Sequence, residues 1–163
     1  MKVQDVMTEI VRTCSPDTNL AEATSIMWEA DCGTLPVVAD GGKVIGMITD
    51  RDIAMASGTR NRLASDIPVS EAMSQAVYYC TPEEDIHAAL KTMRREKVRR
   101  LPVVNPNGVI EGVVSMNDLA LHAEKFDGHK TTALSYDDVV STLKAICEHR
   151  HPKASKESRV ATP

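Results

Sequence analysis

The chain repeats itself. Sliding the 163-residue sequence by 66 positions aligns it with itself without a gap. Met7-Thr8 falls on Met73-Ser74, and Cys14-Ser15-Pro16-Asp17 falls on Cys80-Thr81-Pro82-Glu83. Ala23 and Met27 meet Ala89 and Met93, and Leu35-Pro36-Val37-Val38 meets Leu101-Pro102-Val103-Val104. Gly42, Gly46, Asp52 and Ala54 meet Gly108, Gly112, Asp118 and Ala120. Roughly 14 of about 52 aligned pairs are identical, the mark of a tandem repeat. Two copies are too few for a solenoid, so they are expected to close on each other as a pseudo-symmetric pair. A unit of ~55 residues has little core of its own, so one sheet face of each should be buried against the other.

Both copies read as β-α-β-β-α. A short extended segment comes first, Ile10–Cys14 and Ala76–Cys80, ending where Pro16 and Pro82 bias the chain away from helix. Leu20, Ala23, Met27 and Ala30, and then Ile86, Ala89, Leu90 and Met93, recur at helical spacing. Thr81 with Glu84 fits a capping box for the second of these helices. Leu35–Val38 and Val44–Ile48 flank Gly41-Gly42 as a hairpin, and Leu101–Val104 and Val109–Val114 flank Asn107-Gly108. Thr49–Ala56 and Ser115–Ala123 close the repeats as helices. Residues 57–70 read as a polar linker with Gly58 and Pro68 as breakers. The organisation expected is a first repeat over 1–60, a second over 61–124, a helical extension over 125–150 and a disordered tail over 151–163. In the extension, Ser135 and Asp138 form a capping pair. Val139, Val140, Leu143, Ile146 and Cys147 form one apolar face, most simply packed back on its own module.

Composition narrows the function classes. One Trp, three Tyr and one Phe leave too few rings for a stacking surface of the kind single-stranded nucleic acids need. The net charge of −4 argues against a polyanion partner. The basic run from Lys91 to Arg100 reads as a solvated helix face. No signal-like apolar segment and no membrane-length apolar run is visible, which points to a cytoplasmic protein with reduced cysteines. No pair of cysteines has CxxC spacing. Neither a P-loop, an HExxH motif nor a serine-triad order is present, so a non-catalytic protein is expected.

Chemistry concentrates where the second hairpin strand runs into a helix. The two junctions read Gly46-Met47-Ile48-Thr49-Asp50-Arg51-Asp52 and Gly112-Val113-Val114-Ser115-Met116-Asn117-Asp118. A hydroxyl at the junction and an Asp three residues on make a helix cap. The same geometry makes a phosphate or ribose site, because a helix N-terminus attracts anions and a carboxylate accepts from vicinal hydroxyls. The two roles can coexist. The glycine of each junction would let a flat group approach the backbone.

With the duplicated Leu-Pro-Val-Val strands, these Gly-x-x-[Thr/Ser]-x-x-Asp junctions resemble the CBS-domain family in its tandem form, the Bateman module. Met47–Ile53 and Val98–Val104 resemble small stand-alone bacterial members in particular, and the likeness spans about residues 1–123. It implies an α+β fold of two pseudo-symmetric repeats packed sheet to sheet, with two clefts for AMP, ADP, ATP or S-adenosylmethionine. Such a nucleotide would be a regulatory ligand, no cofactor being required. The resemblance also implies a homodimer and leaves room for a protein target. Carried over residue by residue, it assigns Asp52 and Asp118 to ribose and Thr49 and Ser115 to phosphate or ribose. Met47 and Val113 would flank the base, Ile10 and Ala76 would line the adenine pockets, and Pro36 and Pro102 would border the clefts. Some members place an Arg three residues before the Pro. That position is Arg99 in the second copy and Gly33 in the first, while Arg100 aligns with Thr34, so the second cleft is expected to bind anions more strongly.

Other residues carry two readings each. Cys14 and Cys80, at matching positions, are small buried hydrophobes or a metal or redox pair near the pseudo-axis with His residues. His87 and His122 have Ala counterparts, so the histidines are not duplicated. The methionines are core filler. Trp28 aligns with Arg94 and lies outside the repeated core, either partly buried or on a partner surface. The alternative functions are a ligand-free structural or interaction dimer, or a metal or redox sensor using Cys14, Cys80 and His residues.

Overall fold

Each repeat folds as a helix, an antiparallel hairpin and a second helix. The first holds α1 (Leu20–Glu29), β1 (Thr34–Val38), β2 (Val44–Thr49) and α2 (Asp50–Thr59). The second holds α3 (Ile86–Glu96), β3 (Arg100–Val104), β4 (Ile110–Ser115) and α4 (Met116–His122), and α5 (Tyr136–Cys147) follows. This computed structural model describes residues 1–125 and 133–148. Gly128, His129, His149, His151 and the tail expected over 151–163 lie outside the described residues.

The leading strands are shorter than expected. Cys14 makes a single parallel bridge to Val37, and Cys80 makes one to Val103. Cys14 N–H donates to the Pro36 carbonyl at 3.1 Å, and Val38 N–H donates back to Cys14 at 2.9 Å. The next rung would need an N–H on Pro36, which proline lacks, and Pro102 imposes the same stop on Cys80.

Local chemistry starts the helices. Asn19 caps α1, its side chain accepting from Glu22 N–H at 2.9 Å. Asp85, not Thr81, caps α3 by accepting from His87 N–H at 2.9 Å. The Thr81–Glu84 pair instead orders the turn ahead of it, at 3.3 Å. In both hairpins Leu pairs with the aliphatic residue before the junction: Leu35 with Ile48, Leu101 with Val114. Gly41, Gly42 and Gly108 turn the loops at φ of 79°, 78° and 79°, backbone that glycine adopts without strain.

Each unit has its own core, and each core takes residues from a segment that leads into the other repeat. Leu20, Ala23, Leu35, Val37 and Ile48 of the first unit pack with Ile67 and Val69. Ile86, Leu90, Met93, Leu101 and Val114 of the second pack with Val3 and Val6. Val3 N–H donates to Glu84 O at 2.9 Å and Ile86 N–H to Met1 O at 3.1 Å. In mirror fashion, Leu20 N–H donates to Ile67 O at 2.9 Å and Val69 N–H to Thr18 O at 2.7 Å. Val3 and Val69 are repeat counterparts, and both are fully buried. The stretch 57–70 is therefore not only a polar linker: α2 runs on to Thr59, and the Ile-Pro-Val end of the stretch completes a core. Hairpin tips also touch across the units, Val44 N–H donating to Gly108 O at 3.1 Å. The result is the α+β pair of pseudo-symmetric repeats with a C-terminal helix.

Helix α5 lies on α3 and α4 of the second unit. Its own Val139 and Thr142 are buried on the inner face, and Ile146 packs on the second core. Arg94 Nε donates to Thr142 Oγ1 at 2.7 Å, and Lys97 Nζ donates to Glu148 O at 2.7 Å. The single apolar face expected here divides into two. Val139 and Ile146 point inward, whereas Val140, Leu143 and Cys147 remain exposed.

Candidate functional site

The two strand-to-helix junctions are built alike. Thr49 caps α2, accepting from Asp52 N–H at 3.2 Å. Asp52 Oδ2 accepts from Thr49 N–H at 2.9 Å and from its hydroxyl at 2.6 Å. Ser115 and Asp118 repeat this at the start of α4, with 3.3, 2.8 and 2.6 Å. Each cap uses one carboxylate oxygen and leaves the other. Asp52 Oδ1 accepts no hydrogen bond among the described residues. Asp118 Oδ1 accepts the Thr8 hydroxyl at 3.3 Å. The capping role is therefore met, and it leaves an acceptor at the N-terminus of each helix.

Pro36 stands opposite Met47, and Pro102 opposite Val113, next to these junctions in register. Both prolines are buried, Met47 is half-buried and Val113 is buried. The exchanged segments run alongside. Ser74 exchanges two backbone hydrogen bonds with Met47, at 2.9 and 3.1 Å, and Thr8 exchanges two with Val113, at 2.9 and 3.0 Å. The segment leading to Ile10 thus passes the second unit's junction, and the segment leading to Ala76 passes the first unit's. Ile10 is 91% exposed among the described residues, and Ala76 is also exposed.

Two expectations change here. Gly46 and Gly112 lie within β2 and β4, and the space beside them is already filled. A Cβ at 112 would lie 2.9 Å from Met7 Sδ and 2.9 Å from Thr8 O. One at 46 would lie 2.6 Å from Met73 Sδ and 3.1 Å from Ser74 O. These glycines admit the exchanged segments, not a flat ligand group. The two arginines also part company. Arg99 is exposed. Arg100 sits opposite Ser115 in register, but its guanidinium reaches the first unit. It lies 3.7 Å from where a Cβ at Gly33 would stand, a place also 2.9 Å from the Asp50 carboxylate. Arg100 thus lies between the two units, because the starts of β1 and β3 come within a side chain's length.

Cys14 and Cys80 do not meet. Each is buried in a different core. Burial, with Glu22 adding to it, pushes the Cys14 thiol up to about 11, and burial with Glu84 pushes Cys80 up to about 12. Such thiols stay protonated and are poor ligands and nucleophiles near neutral pH. Among the described residues no three His, Cys, Asp or Glu side chains are grouped to hold a metal. His87 is held between Asp85, at 3.1 Å, and Asp138, at 3.5 Å. His122 Nδ1 is 2.8 Å from the Asp118 carbonyl. Among the described residues no helix is long and apolar enough to cross a membrane.

Sequence reasoning missed Thr8 and Ser74 as neighbours of the junctions. The signal was available: Met7-Thr8 and Met73-Ser74 match at the repeat offset but lie ahead of the predicted strands.

Two pseudo-symmetric repeats, each with a hairpin strand that runs through a capped junction into a helix, define a tandem α+β pair. The CBS domain pattern matches residues 3–58 and 66–125, and the chain belongs to the CBS domain family. It is 35% identical over 139 residues to the CBS domain-containing protein YhcV of Bacillus subtilis, covering 84% of this chain and 97% of that one. It is 28% identical over 144 residues to Hypoxic response protein 1 of Mycobacterium tuberculosis, covering 88% and 92%. Among solved structures it is similar to Hypoxic Response Protein I with two coordinated zinc ions, at a TM-score of 0.69 and 28% identity over 76% of this chain and 100% of that one. It also shares its fold with the CBS domain pair of MJ0100, in complex with 5′-methylthioadenosine and S-adenosyl-L-methionine. There the TM-score is 0.68 at 24% identity, covering 74% and 94%.

Proposed function

We propose that this protein is a regulatory module that binds an adenosine-containing ligand (AMP, ADP, ATP or S-adenosylmethionine) beside its two junctions. It performs no catalysis, and it passes the bound state on through a homodimer or a partner protein. The observation that carries the reading is the carboxylate oxygen each cap leaves at a helix N-terminus. Asp52 and Asp118 would accept from ribose hydroxyls, while Thr49, Ser115 and the helix N-termini would face phosphate or ribose. Met47 with Pro36, and Val113 with Pro102, would hold the base between aliphatic surfaces. Ile10 and Ala76 would close over it from the crossing segments. Arg99 and Arg100 would meet phosphate, Arg100 from a position shared with the first unit. The adenosyl ligands of MJ0100 support the ligand class, since they occupy a pair of the same fold.

The two sites differ in readiness. Asp52 Oδ1 is available, whereas Asp118 Oδ1 must release or share Thr8. The first junction is therefore the tighter diol site. Thermal unfolding against AMP, ADP, ATP and S-adenosylmethionine tests the reading. A ligand at 100 times its Kd stabilises by about 2.7 kcal/mol. Asp52→Ala should abolish most of the shift and Asp118→Ala less of it. A full panel that leaves the midpoint unmoved would favour a ligand-free interaction dimer.

A further inference from the structure

Asp52 and Asp118 hold the same place in the two repeats, yet they do not have the same acceptors left. A carboxylate offers about four lone-pair positions, two on each oxygen. In both residues Oδ2 is filled, since it accepts the amide and the hydroxyl of its own cap residue. Asp52 Oδ1 accepts nothing among the described residues, so both of its positions remain. Asp118 Oδ1 already accepts the Thr8 hydroxyl at 3.3 Å, so one position remains. A vicinal diol needs two.

The crossing segment delivers that hydroxyl from a fixed backbone. Val3 and Val6 are buried in the second core, and Met7 fills the space beside Gly112. Thr8 itself exchanges two backbone hydrogen bonds with Val113, at 2.9 and 3.0 Å. Thr8 is exposed and Asp118 half-buried, so the pair is reachable from solvent. Ser74, the counterpart of Thr8, is stitched to Met47 in the same way at 2.9 and 3.1 Å. Its hydroxyl makes no hydrogen bond to Asp52 among the described residues. β-Branching confines the Thr8 hydroxyl to few rotamers, whereas the unbranched Ser74 can turn its own away.

We propose that Thr8 sets the sugar specificity of the second junction: its hydroxyl takes the place of one ribose hydroxyl on Asp118. The first junction then recognises a vicinal diol and selects ribonucleotides, both sugar hydroxyls donating to Asp52 Oδ1. The second recognises a single sugar hydroxyl and takes a deoxyribonucleotide as readily as a ribonucleotide, Thr8 supplying the missing donor. The inference rests on the ribose reading of Asp52 and Asp118.

Calorimetric titration of the full chain with AMP, 2′-deoxy-AMP and 3′-deoxy-AMP tests it. Asp118→Ala isolates the first junction and Asp52→Ala the second. At the first, loss of either hydroxyl should weaken binding by ~10-fold or more, the scale of a hydrogen bond to a charged acceptor. At the second, one of the two deoxy forms should bind within about twofold of AMP, since Asp118 has one position to offer. Adding Thr8→Val to Asp52→Ala should tighten AMP by ~5-fold and bring back ~10-fold discrimination against both deoxy forms. Thr8→Ser, which keeps a hydroxyl, should return the pattern towards that of Asp52→Ala alone. Valine keeps the size and branching of threonine, so a purely structural role would leave the deoxy-to-ribo ratio where it was. Amide exchange at Val113 checks that the crossing segment is still paired, and Thr8→Ala serves as a second variant. Equal discrimination at the two junctions, or a ratio that Thr8→Val leaves unchanged, would overturn the specificity while the adenosine reading stands. Absence of heat with AMP in the parent and in every variant would overturn the adenosine reading, and the specificity with it.

Discussion

A missing methyl group at Gly46 and at Gly112 lets the two repeats share segments. Both glycines sit under a methionine thioether and a backbone carbonyl from an exchanged segment. The methionine can move aside, but the carbonyl is fixed by its own pairing, Thr8 with Val113 or Ser74 with Met47. Gly112→Ala is therefore expected to cost ~1–3 kcal/mol by overpacking, read as a lower urea midpoint at unchanged slope. Gly58 is the control. It lies in α2 with nothing within 4 Å of its added Cβ, so Gly58→Ala should raise stability by about 0.5–1 kcal/mol. A glycine's presence is legible in a sequence. What crowds it is not, because the crowding atoms come from more than 25 residues away.

At the scale of elements, α5 was legible as a capped amphipathic helix, and Ser135 and Asp138 do form its box. Its two apolar sides were not separable, because 3.6-residue periodicity reports a wide stripe without saying which part meets the core. Its docking depends on ionised Asp138. Partial burial works to raise that carboxyl, but the Ser135 hydroxyl and amide, helped by His87 beside it, hold it below the usual carboxylate range. The His87 amide lowers Asp85 in turn, with the His87 ring assisting. A depressed folded value means that the stabilisation is present above the unfolded value of about 3.9 and is lost as the pH falls through the folded one. Amide exchange in α5 should accordingly lose protection in that acidic window before the cores do. At neutral pH, Asp138→Ala should cost the cap ~1 kcal/mol, about a fivefold loss of α5 protection. Equal protection in the variant and the parent would show that α5 is held by its apolar contacts together with Arg94 and Lys97, and not by this cap.

At the scale of the molecule, the exchange of leading segments makes two small units into one cooperative body. Neither core is complete without residues from the segment ahead of the other repeat. Val3 lies ahead of the first repeat's helices, yet it is fully buried in the second unit's core. Val3→Ala should cost about 2 kcal/mol, for two methylene equivalents removed from a core. Val69→Ala, its counterpart, should cost about the same. Denaturation of both variants checks this, and a neutral Val3→Ala would contradict the exchange.

The amino-acid sequence alone determined the duplication, the hairpins, the helices, and the paired hydroxyl and carboxylate at each junction. These depend on neighbours within a turn or a hairpin, and periodicity, caps and turn residues report such contacts directly. Tertiary structure decided what crosses between the repeats. It brought Thr8 to Asp118, took Arg100 to the first unit, and, among the described residues, left Asp52 with a spare oxygen and laid α5 over α3/α4 and not over α1/α2. These outcomes depend on residues far apart in the chain, and on a pseudo-twofold that offers each leading segment two partners, its own repeat or the other. Only packing of the whole molecule chooses between them.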